Sequence, residues 1–353
     1  MARVVVALSG GVDSSTAAAL LVEQGHEVVG IHLRLHDEGA AVATAGACCG
    51  LDDALDARSV ASALQIPFYV LDLRDAFRRA VLDPFVDAYV AGRTPNPCVD
   101  CNGVLKFRVL LGRALALGAE ALATGHYARI DEVDGAPSLH AAADADKDQS
   151  YFLFPLRREA LARTRFPLGA LGKDEVRAHA ARLGLPVADK PESMDVCFLP
   201  DHDHAALVRR SRDQLDGAGA IVDEQGRELG RHDGYFRFTV GQRRGLGLAT
   251  SEPHYVTRID AERREVVVAP RAGLARGGLV ADGVHWLHGP PHEPVQVRIR
   301  HRGALHAARV EADEATARVR FEAPVEAVAP GQAAVFYQGD RVLGGGWIRE
   351  ALA

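Results

Sequence analysis

The sequence has few cysteines, no long apolar run and no excess of positive charge. Its 353 residues include five cysteines, an odd number that argues against a disulfide framework and favours individual thiols with separate tasks. No apolar stretch reaches the length of a signal peptide or a membrane span. We therefore expect a cytoplasmic protein that does not associate with membranes.

The net charge of −6 gives no support for a nucleic acid partner. Four short arginine-rich clusters nonetheless occur in the later part of the chain. Each alone is typical of a solvated surface, but four of them in an acidic protein are compatible with a segregated basic face. These clusters are residues 157–165, 209–212, 241–245 and 298–303.

Strand and helix patterns alternate over the first 130 residues, which predicts a doubly wound parallel α/β sheet with helices on both faces. From about residue 218, short strands and turns predict small all-β modules ending in a β-barrel. We expect an α/β catalytic domain at residues 1–203, a small central domain at 204–273 and a C-terminal β-barrel domain at 274–353. In the first region we predict strands at 4–7, 27–33, 67–73 and 120–127 and helices at 14–23, 52–64, 103–117 and 173–183.

The stretch LSGGVDSS, residues 8–15, joins a predicted strand to a predicted helix. Gly10 and Gly11 let the backbone approach an anion, and the Ser9 and Ser14 hydroxyls can join the helix N-terminus in binding phosphate. The stretch has neither the Lys-Ser/Thr pair of a Walker loop nor G-x-G-x-x-G. Asp13 would repel phosphate, so we predict Mg²⁺ between them, without a dedicated cage of protein ligands. The alternative is a tight turn in which Asp13 caps the helix.

The string S-G-G-x-D-S resembles the PP-loop of ATP pyrophosphatases, an adenine nucleotide alpha hydrolase-like fold that cleaves ATP between the α and β phosphates. Further blocks resemble, in the same order, the tRNA-specific 2-thiouridylases (MnmA or TrmU). They are RTPNPCVDCNGVLKF at 93–107, ATGHYAR at 123–129, KDQSYFL at 147–153, KPESMDVCF at 190–198, FTVGQRRGLGL at 238–248 and PGQAAVFY at 330–337.

This resemblance implies a reaction: ATP adenylates the wobble uridine of the tRNAs for Glu, Gln and Lys, and sulfur then replaces the 2-oxygen to give 2-thiouridine. It assigns the persulfide to Cys197 and the releasing nucleophile to Cys101. A Cys101–Cys197 disulfide would then be reopened by a cellular reductant. The sulfur donor that it implies is a cysteine desulfurase or a relay protein.

Other interpretations of the cysteines stay open. Cys98, Cys101 and Cys197 could hold an iron–sulfur cluster with one open iron, and some family members have Asp at the position of Cys98. The C-x-x-C of Cys98 and Cys101 could bind zinc, but no matching pair occurs elsewhere. Cys48 and Cys49, in a Gly/Ala-rich stretch, are expected to pack or to have no chemical task.

Other functions would leave parts of the pattern unused. A different adenylating ligase with the same loop has no use for Cys101 and Cys197. A non-catalytic adenine-nucleotide-binding regulator that docks RNA through its β modules has no use for Asp13 or for the paired cysteines.

The resemblance also assigns the other site residues. His126 is either one of its tRNA contacts or a core histidine, and the target base is flipped out of its stack. ATP is expected at Ala7, Leu8, Ser9, Gly10, Gly11, Val12, Asp13, Ser14, Leu33 (near the adenine) and Gly125. The target base is expected beside Asn96, Pro97 and Cys98. The tRNA contacts are expected at His126, Lys147, Asp148, Gln149, Arg300, His301 and Gln332.

Overall fold

A computed structural model describes residues 1–36, 51–192, 196–199, 203–213, 215–291, 293–313 and 315–353. The expectation for Cys48 and Cys49 lies outside these residues. The chain divides into two compact units. The first comprises Met1–Leu82, Pro97–His202 and Asp340–Val342, and the second comprises Asp83–Asn96, Asp203–Gly339 and Leu343–Ala353. The domain boundaries at 203 and 273 stay predictions.

Within its described residues, the first unit contains a five-stranded sheet in which every pairing is parallel, with the order β3-β2-β1-β4-β7. A β5–β6 hairpin turns at Asp134 and Gly135, a common hairpin sequence, and its His140 pairs with Arg341. The strands are β1 (Arg3–Ala7), β2 (Glu27–Arg34), β3 (Phe68–Asp72), β4 (Ala121–Ala123), β5 (Ala128–Val133), β6 (Ala136–Ala141) and β7 (Thr164–Arg165).

The four predicted helices match α1, α2, α6 and α8 to within a few residues, apart from one region. The predicted helix 103–117 begins earlier, at Pro97, and includes a π-helical segment, Cys101–Leu110. Proline suits a first helical position because its missing N–H would have no partner there. The helices are α1 (Val12–Glu23), α2 (Leu51–Ala63), α3 (Arg74–Phe77, continuing as a π turn through Leu82), α4 (Asp83–Val90), α5 (Pro97–Asp100), α6 (Leu111–Ala116), α7 (Arg158–Leu161), α8 (Lys173–Arg182) and α9 (His204–Ser211).

The central strand β1 is covered on both faces, which confirms the doubly wound expectation. Val4, Val5 and Val6 are at most 1% exposed, and successive side chains of a strand point to opposite faces. On one face, Val4 and Val6 pack with residues of α1 and α2, including Ala18 and Ala57. An unbroken valine run is what a fully buried parallel strand requires.

The strand order reverses at β1, which pairs with β2 on one side and with β4 on the other. Ligands of such sheets bind beyond the carboxyl ends of the strands at this reversal. The predicted strand 120–127 ends at Ala123, so that residues 124–126 form a loop at the carboxyl edge. The loop after β1 and the loop after β4 therefore flank the expected binding position.

The second unit contains short β-strands, as the alternating patterns predict, and most of their pairings are antiparallel, whereas β11 and β8 pair in parallel. Over the described residues of 219–270, four strands form a sheet of order β10-β11-β8-β9. Over those of 275–352, six strands of order β12-β15-β14-β13-β16-β17 close into a barrel through a β12–β17 pairing. The strands are β8 (Gly219–Val222), β9 (Glu228–His232), β10 (His254–Asp260), β11 (Glu265–Pro270), β12 (Ala275–Trp286), β13 (Val295–Arg298), β14 (His306–Ala312), β15 (Thr316–Glu326), β16 (Ala333–Gln338) and β17 (Arg341–Leu352).

Helix α4 belongs to this second unit because its side chains pack there. Tyr89 stacks on His204 with ring centroids 4.3 Å apart, and Tyr235 donates a hydrogen bond to the Val90 carbonyl oxygen at 2.7 Å. None of the helices among the described residues has the length and apolarity needed to cross a membrane.

Phe336→Ala should destabilise the barrel by about 3–5 kcal/mol, because it leaves a cavity in a close-packed core. Phe336 is fully buried, and its ring lies 4.9 Å from that of Trp286. Urea unfolding followed by tryptophan fluorescence reports on this barrel, since both tryptophans, Trp286 and Trp347, lie in its strands. Leu229→Ala, at an exposed position of the same unit, is the control and should change stability by less than about 0.5 kcal/mol.

Candidate active site

The loop between β1 and α1 is held by hydrogen bonds among its own residues. The Ser14 hydroxyl accepts from the backbone N–H of Ser9 at 3.1 Å and lies 3.0 Å from the Ser9 hydroxyl oxygen. Gly10 has a φ of +79°, and a Cβ there would lie 2.3 Å from the carbonyl oxygen of Asp53. Only glycine therefore fits at this position.

The first turn of α1 is open to an anion. Its N-cap residue is Gly11, which has no side chain to accept hydrogen bonds from the first N–H groups of the helix. Such groups need a partner, and with the helix dipole they favour a negatively charged one. The loop geometry therefore fits phosphate, as its sequence predicts.

The loop after β4 lies directly against this first loop. A Cβ at Gly125 would lie 2.6 Å from the backbone nitrogen of Ser14 and 2.7 Å from the carbonyl carbon of Asp13. The two glycine-containing segments thus meet at the reversal of strand order. Leu33, expected near the adenine, is a buried residue of the neighbouring strand β2.

Asp13 lies at the end of a chain of charged and polar side chains that we call the Asp13 cluster: Asp13, Tyr127, Lys147, Lys173 and Glu192. Its Oδ1 accepts from Lys173 Nζ at 2.7 Å and from the Tyr127 hydroxyl at 2.9 Å. Lys173 Nζ also lies 2.6 Å from Glu192 Oε1. Glu192 Oε2 accepts from Lys147 Nζ at 2.7 Å. The cluster thus pairs two carboxylates with two ammonium groups.

Two pKa values in the cluster are strongly shifted. Burial raises the pKa of Tyr127 above its usual range, and the Asp13 carboxylate raises it further. Burial alone would raise the pKa of Glu192, but hydrogen bonds from Lys147 and Lys173 outweigh burial and lower that pKa to about 2. Tyr127 therefore stays a hydrogen-bond donor and Glu192 stays ionised at any physiological pH.

Lys190 fixes the other side of the loop to α2. Its Nζ donates to the Gly10 carbonyl oxygen at 3.1 Å, to Asp53 at 2.7 Å and to Asp56 at 2.6 Å. The sequence analysis did not assign Tyr127, Lys173, Lys190 or Glu192 to the site. Tyr127, Lys190 and Glu192 lie within sequence blocks that resemble the family, and this could have identified them as site residues. Lys173 begins a helix whose sequence has no such mark.

The three described cysteines, Cys98, Cys101 and Cys197, are thiols rather than disulfides and all belong to the first unit. Burial raises the pKa of Cys101 to about 12, and the neighbouring thiols of Cys197 and Cys98 also raise it, whereas Lys106 opposes them. The three sulfur atoms are thus close enough to interact. Cys101 is protonated at neutral pH in this state.

Burial also raises the pKa of Asp100 to about 7, so that this carboxyl group can exchange a proton near neutrality. Among the described residues, no three His, Cys, Asp or Glu side chains are arranged as a metal-binding group.

Comparisons with known proteins cover nearly the whole chain. Family models match residues 2–201 (tRNA methyl transferase HUP domain), 209–270 (tRNA methyl transferase PRC-barrel domain) and 276–348 (Aminomethyltransferase beta-barrel domain). A protein of Geotalea uraniireducens called tRNA-specific 2-thiouridylase MnmA is 50% identical over 99% of this chain and 96% of its own length. Another of that name, from Rhodospirillum centenum, is 52% identical over 99% of this chain and 92% of its own length. The chain belongs to the tRNA-specific 2-thiouridylase family.

Several residues for which the family resemblance predicts tRNA contacts have partners within the first unit. His126 is buried, lies 2.7 Å from the Thr124 hydroxyl through Nδ1, and packs against Phe166. Burial lowers the pKa of His126 well below its usual range. Gln149 Oε1 accepts from the backbone N–H of Tyr127 at 3.0 Å, and buried Asp148 accepts from that of Ala142 at 3.1 Å.

In the second unit, Gln332 holds the chain just before Asn96. Its Nε2 donates to the carbonyl oxygens of Thr94 and Pro95 at 3.0 and 3.2 Å, and the Thr94 N–H donates to the Pro330 carbonyl oxygen at 2.9 Å. Asn96 itself is buried, whereas Arg300 is exposed and His301 is half-buried in the turn after β13. Gln332, a predicted tRNA contact, therefore also stabilises its own unit through these hydrogen bonds.

Gly125→Ala should weaken ATP binding at least about tenfold and cost about 1–3 kcal/mol of stability, because its methyl group would push the two loops apart. Isothermal titration calorimetry and thermal unfolding measure the two effects. The matched control is Gly112→Ala in α6, where nothing lies within 4 Å of the added Cβ and alanine is the better helix former. If Gly125→Ala bound ATP like the wild type, the contact between the loops would not define the site.

Proposed function

We propose that this protein is a transferase that uses ATP to replace the 2-oxygen of the wobble uridine in tRNA with sulfur. The observation that carries the proposal is the presence, in one unit, of a phosphate-type loop at the reversal of strand order and of two interacting thiols, Cys101 and Cys197. The tRNA substrate is supported by relatives about 50% identical that are called tRNA-specific 2-thiouridylases. We propose, from the same family resemblance, that the tRNAs modified are those for Glu, Gln and Lys.

In the first step, the phosphates of ATP bind the N–H groups of residues 9–14, the adenine lies near Leu33, and Gly125 closes the other side. The uridine 2-oxygen attacks the α-phosphorus, a new O–P bond forms, and pyrophosphate leaves. Mg²⁺ between the phosphates and Asp13 would offset their mutual repulsion. Adenylation turns a poor leaving group, the carbonyl oxygen, into AMP.

In the second step, a persulfide on Cys197 attacks carbon 2 of the uridine through its terminal sulfur, and AMP leaves. The Cys101 thiolate then attacks the Cys197 sulfur, which breaks the S–S bond, releases 2-thiouridine and forms a Cys101–Cys197 disulfide. Cys101 must first lose its proton, and the neighbouring Asp100, with a pKa near neutrality, is suited to accept it. A cellular reductant restores both thiols, and a cysteine desulfurase or relay protein renews the persulfide.

The remaining assignments are proposals of the same kind. We place the domain boundaries near residues 203 and 273 and the protein in the cytoplasm, where the tRNA pool is. We also propose that local basic patches bind tRNA despite the net negative charge. The flipped base is proposed to lie beside Asn96, Pro97 and Cys98. The tRNA contacts are proposed at His126, Lys147, Asp148, Gln149, Arg300, His301 and Gln332.

The purified protein, given ATP, tRNA and a persulfide donor, should produce AMP, pyrophosphate and 2-thiouridine in equal amounts. Nucleotide chromatography and mass spectrometry of digested tRNA measure the three products. Asp13→Asn should slow AMP formation at least about a hundredfold, because it removes the carboxylate that would hold Mg²⁺ at the reacting phosphates, while tRNA binding is retained. Formation of ADP and phosphate, or AMP without thiolated tRNA, would contradict the proposal.

The cysteine assignments predict different outcomes for three serine variants. Cys101→Ser and Cys197→Ser should both lose multiple turnover, because each removes one sulfur of the exchange. Cys98→Ser, the matched control in α5, three residues before Cys101, should retain most of its activity. Anaerobic turnover and the iron content of the wild type are measured together. An inactive Cys98→Ser beside stoichiometric iron in the wild type would instead support a cluster held by all three residues.

A further inference from the structure

The first turn of α8 is fixed by hydrogen bonds at its N-terminus and by packing on α1, the helix that follows the phosphate loop. The backbone N–H of Lys173, the first residue of α8, donates to Asp144 at 3.1 Å, and that of Gly172 donates to Glu175 at 2.7 Å. Further along the helix, Val176 packs with Ala17 of α1 and both are fully buried. The Lys173 side chain therefore starts from a fixed point beside the loop.

The Lys173 ammonium group is enclosed at the mouth of the loop. Its side chain is only 11% exposed, and Nζ lies 2.7 Å from Asp13 Oδ1 and 2.6 Å from Glu192 Oε1. Asp13 has a second donor in Tyr127, and Glu192 has a second cation in Lys147. Neither carboxylate therefore depends on Lys173 alone.

The charges of the Asp13 cluster balance without any ligand, because Asp13 and Glu192 are matched by Lys173 and Lys147. A polyphosphate at the N-terminus of α1 adds negative charge beside Asp13 and upsets this balance. Lysine carries a compact charge on a flexible four-carbon stem. Its ammonium group can turn from Asp13 to a phosphate oxygen while its Cα stays in place.

We propose that Lys173 is a phosphate-binding residue, whose ammonium group moves from Asp13 to the β- or γ-phosphate when ATP binds. The move frees Asp13 Oδ1, while Glu192 keeps its contact with the lysine. This inference rests on the proposed function only in requiring that ATP binds the loop. It adds a protein cation to a site for which sequence reasoning predicted backbone groups, hydroxyls, Asp13 and Mg²⁺.

The test compares Lys173→Met with Arg182→Met, which removes a cation from the other end of α8, where Arg182 pairs with Glu23 on the surface. Calorimetry measures ATP and AMP binding in EDTA, so that no metal ion bridges Asp13 and phosphate. Lys173→Met should weaken ATP binding about 10–100-fold, the range for a lost charge-assisted hydrogen bond. AMP binding should change less than about threefold, and Arg182→Met should change neither.

A second pair of variants separates phosphate binding from mere neutralisation of Asp13. Asp13→Asn alone should bind ATP in EDTA at least as tightly as the wild type, because a repulsive charge is gone. Asp13→Asn/Lys173→Met, which restores the charge balance, should still bind ATP about tenfold or more weakly than Asp13→Asn. Thermal unfolding confirms that each variant is folded.

The outcomes distinguish this inference from the proposed function. If the wild type bound ATP but the double variant matched Asp13→Asn, Lys173 would be only a counter-ion and the inference would be wrong. If the wild type failed to bind ATP at all, the proposed function would fall with it. If Lys173→Met lost thiolation but bound nucleotides like the wild type, the inference would be wrong, whereas the proposed adenylation step would not be contradicted.

Discussion

Backbone of the loop after β1 and backbone of the loop after β4 meet at Gly125, where no side chain has room. This contact fixes the backbone of Asp13 and Ser14 at the start of α1, and so sets the point from which the Asp13 carboxylate reaches its partners. The partners of Asp13, Tyr127 and Lys173, reach it from elements whose positions the sheet determines. The backbone contact at Gly125 thus helps to position the ion pair and the hydrogen bond of Asp13.

Without ligands, both reactive regions of the first unit are held in unreactive forms, for different physical reasons. In the Asp13 cluster, each charge already has an opposite partner at hydrogen-bond distance, so the charges of the cluster sum to zero. At Cys101, burial disfavours the thiolate more than Lys106 favours it, so the sulfur stays protonated. The binding energy of the substrates can rearrange the ion pairs of the cluster and can favour the thiolate of Cys101.

Local patterns allowed much of the fold and the phosphate loop to be predicted, because glycine, serine and valine in those positions have few alternative structures. Lys173 escaped prediction because it meets Asp13 across 160 positions of sequence, and nothing local marks it. The π winding from Cys101 to Leu110 escaped because helix propensities do not separate it from an α-helix. Gln332 was singled out for tRNA, whereas its bonds to Thr94 and Pro95 depend on tertiary packing alone.

The division of the chain between its units has a consequence for synthesis on the ribosome. Helix α4 belongs with residues from Asp203 onward, so Tyr89 emerges more than one hundred residues before His204, on which it stacks. The first unit, in turn, gains Asp340–Val342, including the pairing of Arg341 with His140, only after most of the second unit has been synthesised. Neither unit can fold completely during translation until most of the other unit has been synthesised. Apolar side chains of both units therefore stay exposed to solvent while elongation continues. Nascent chains of this protein should therefore depend on chaperones over an unusually long part of their elongation.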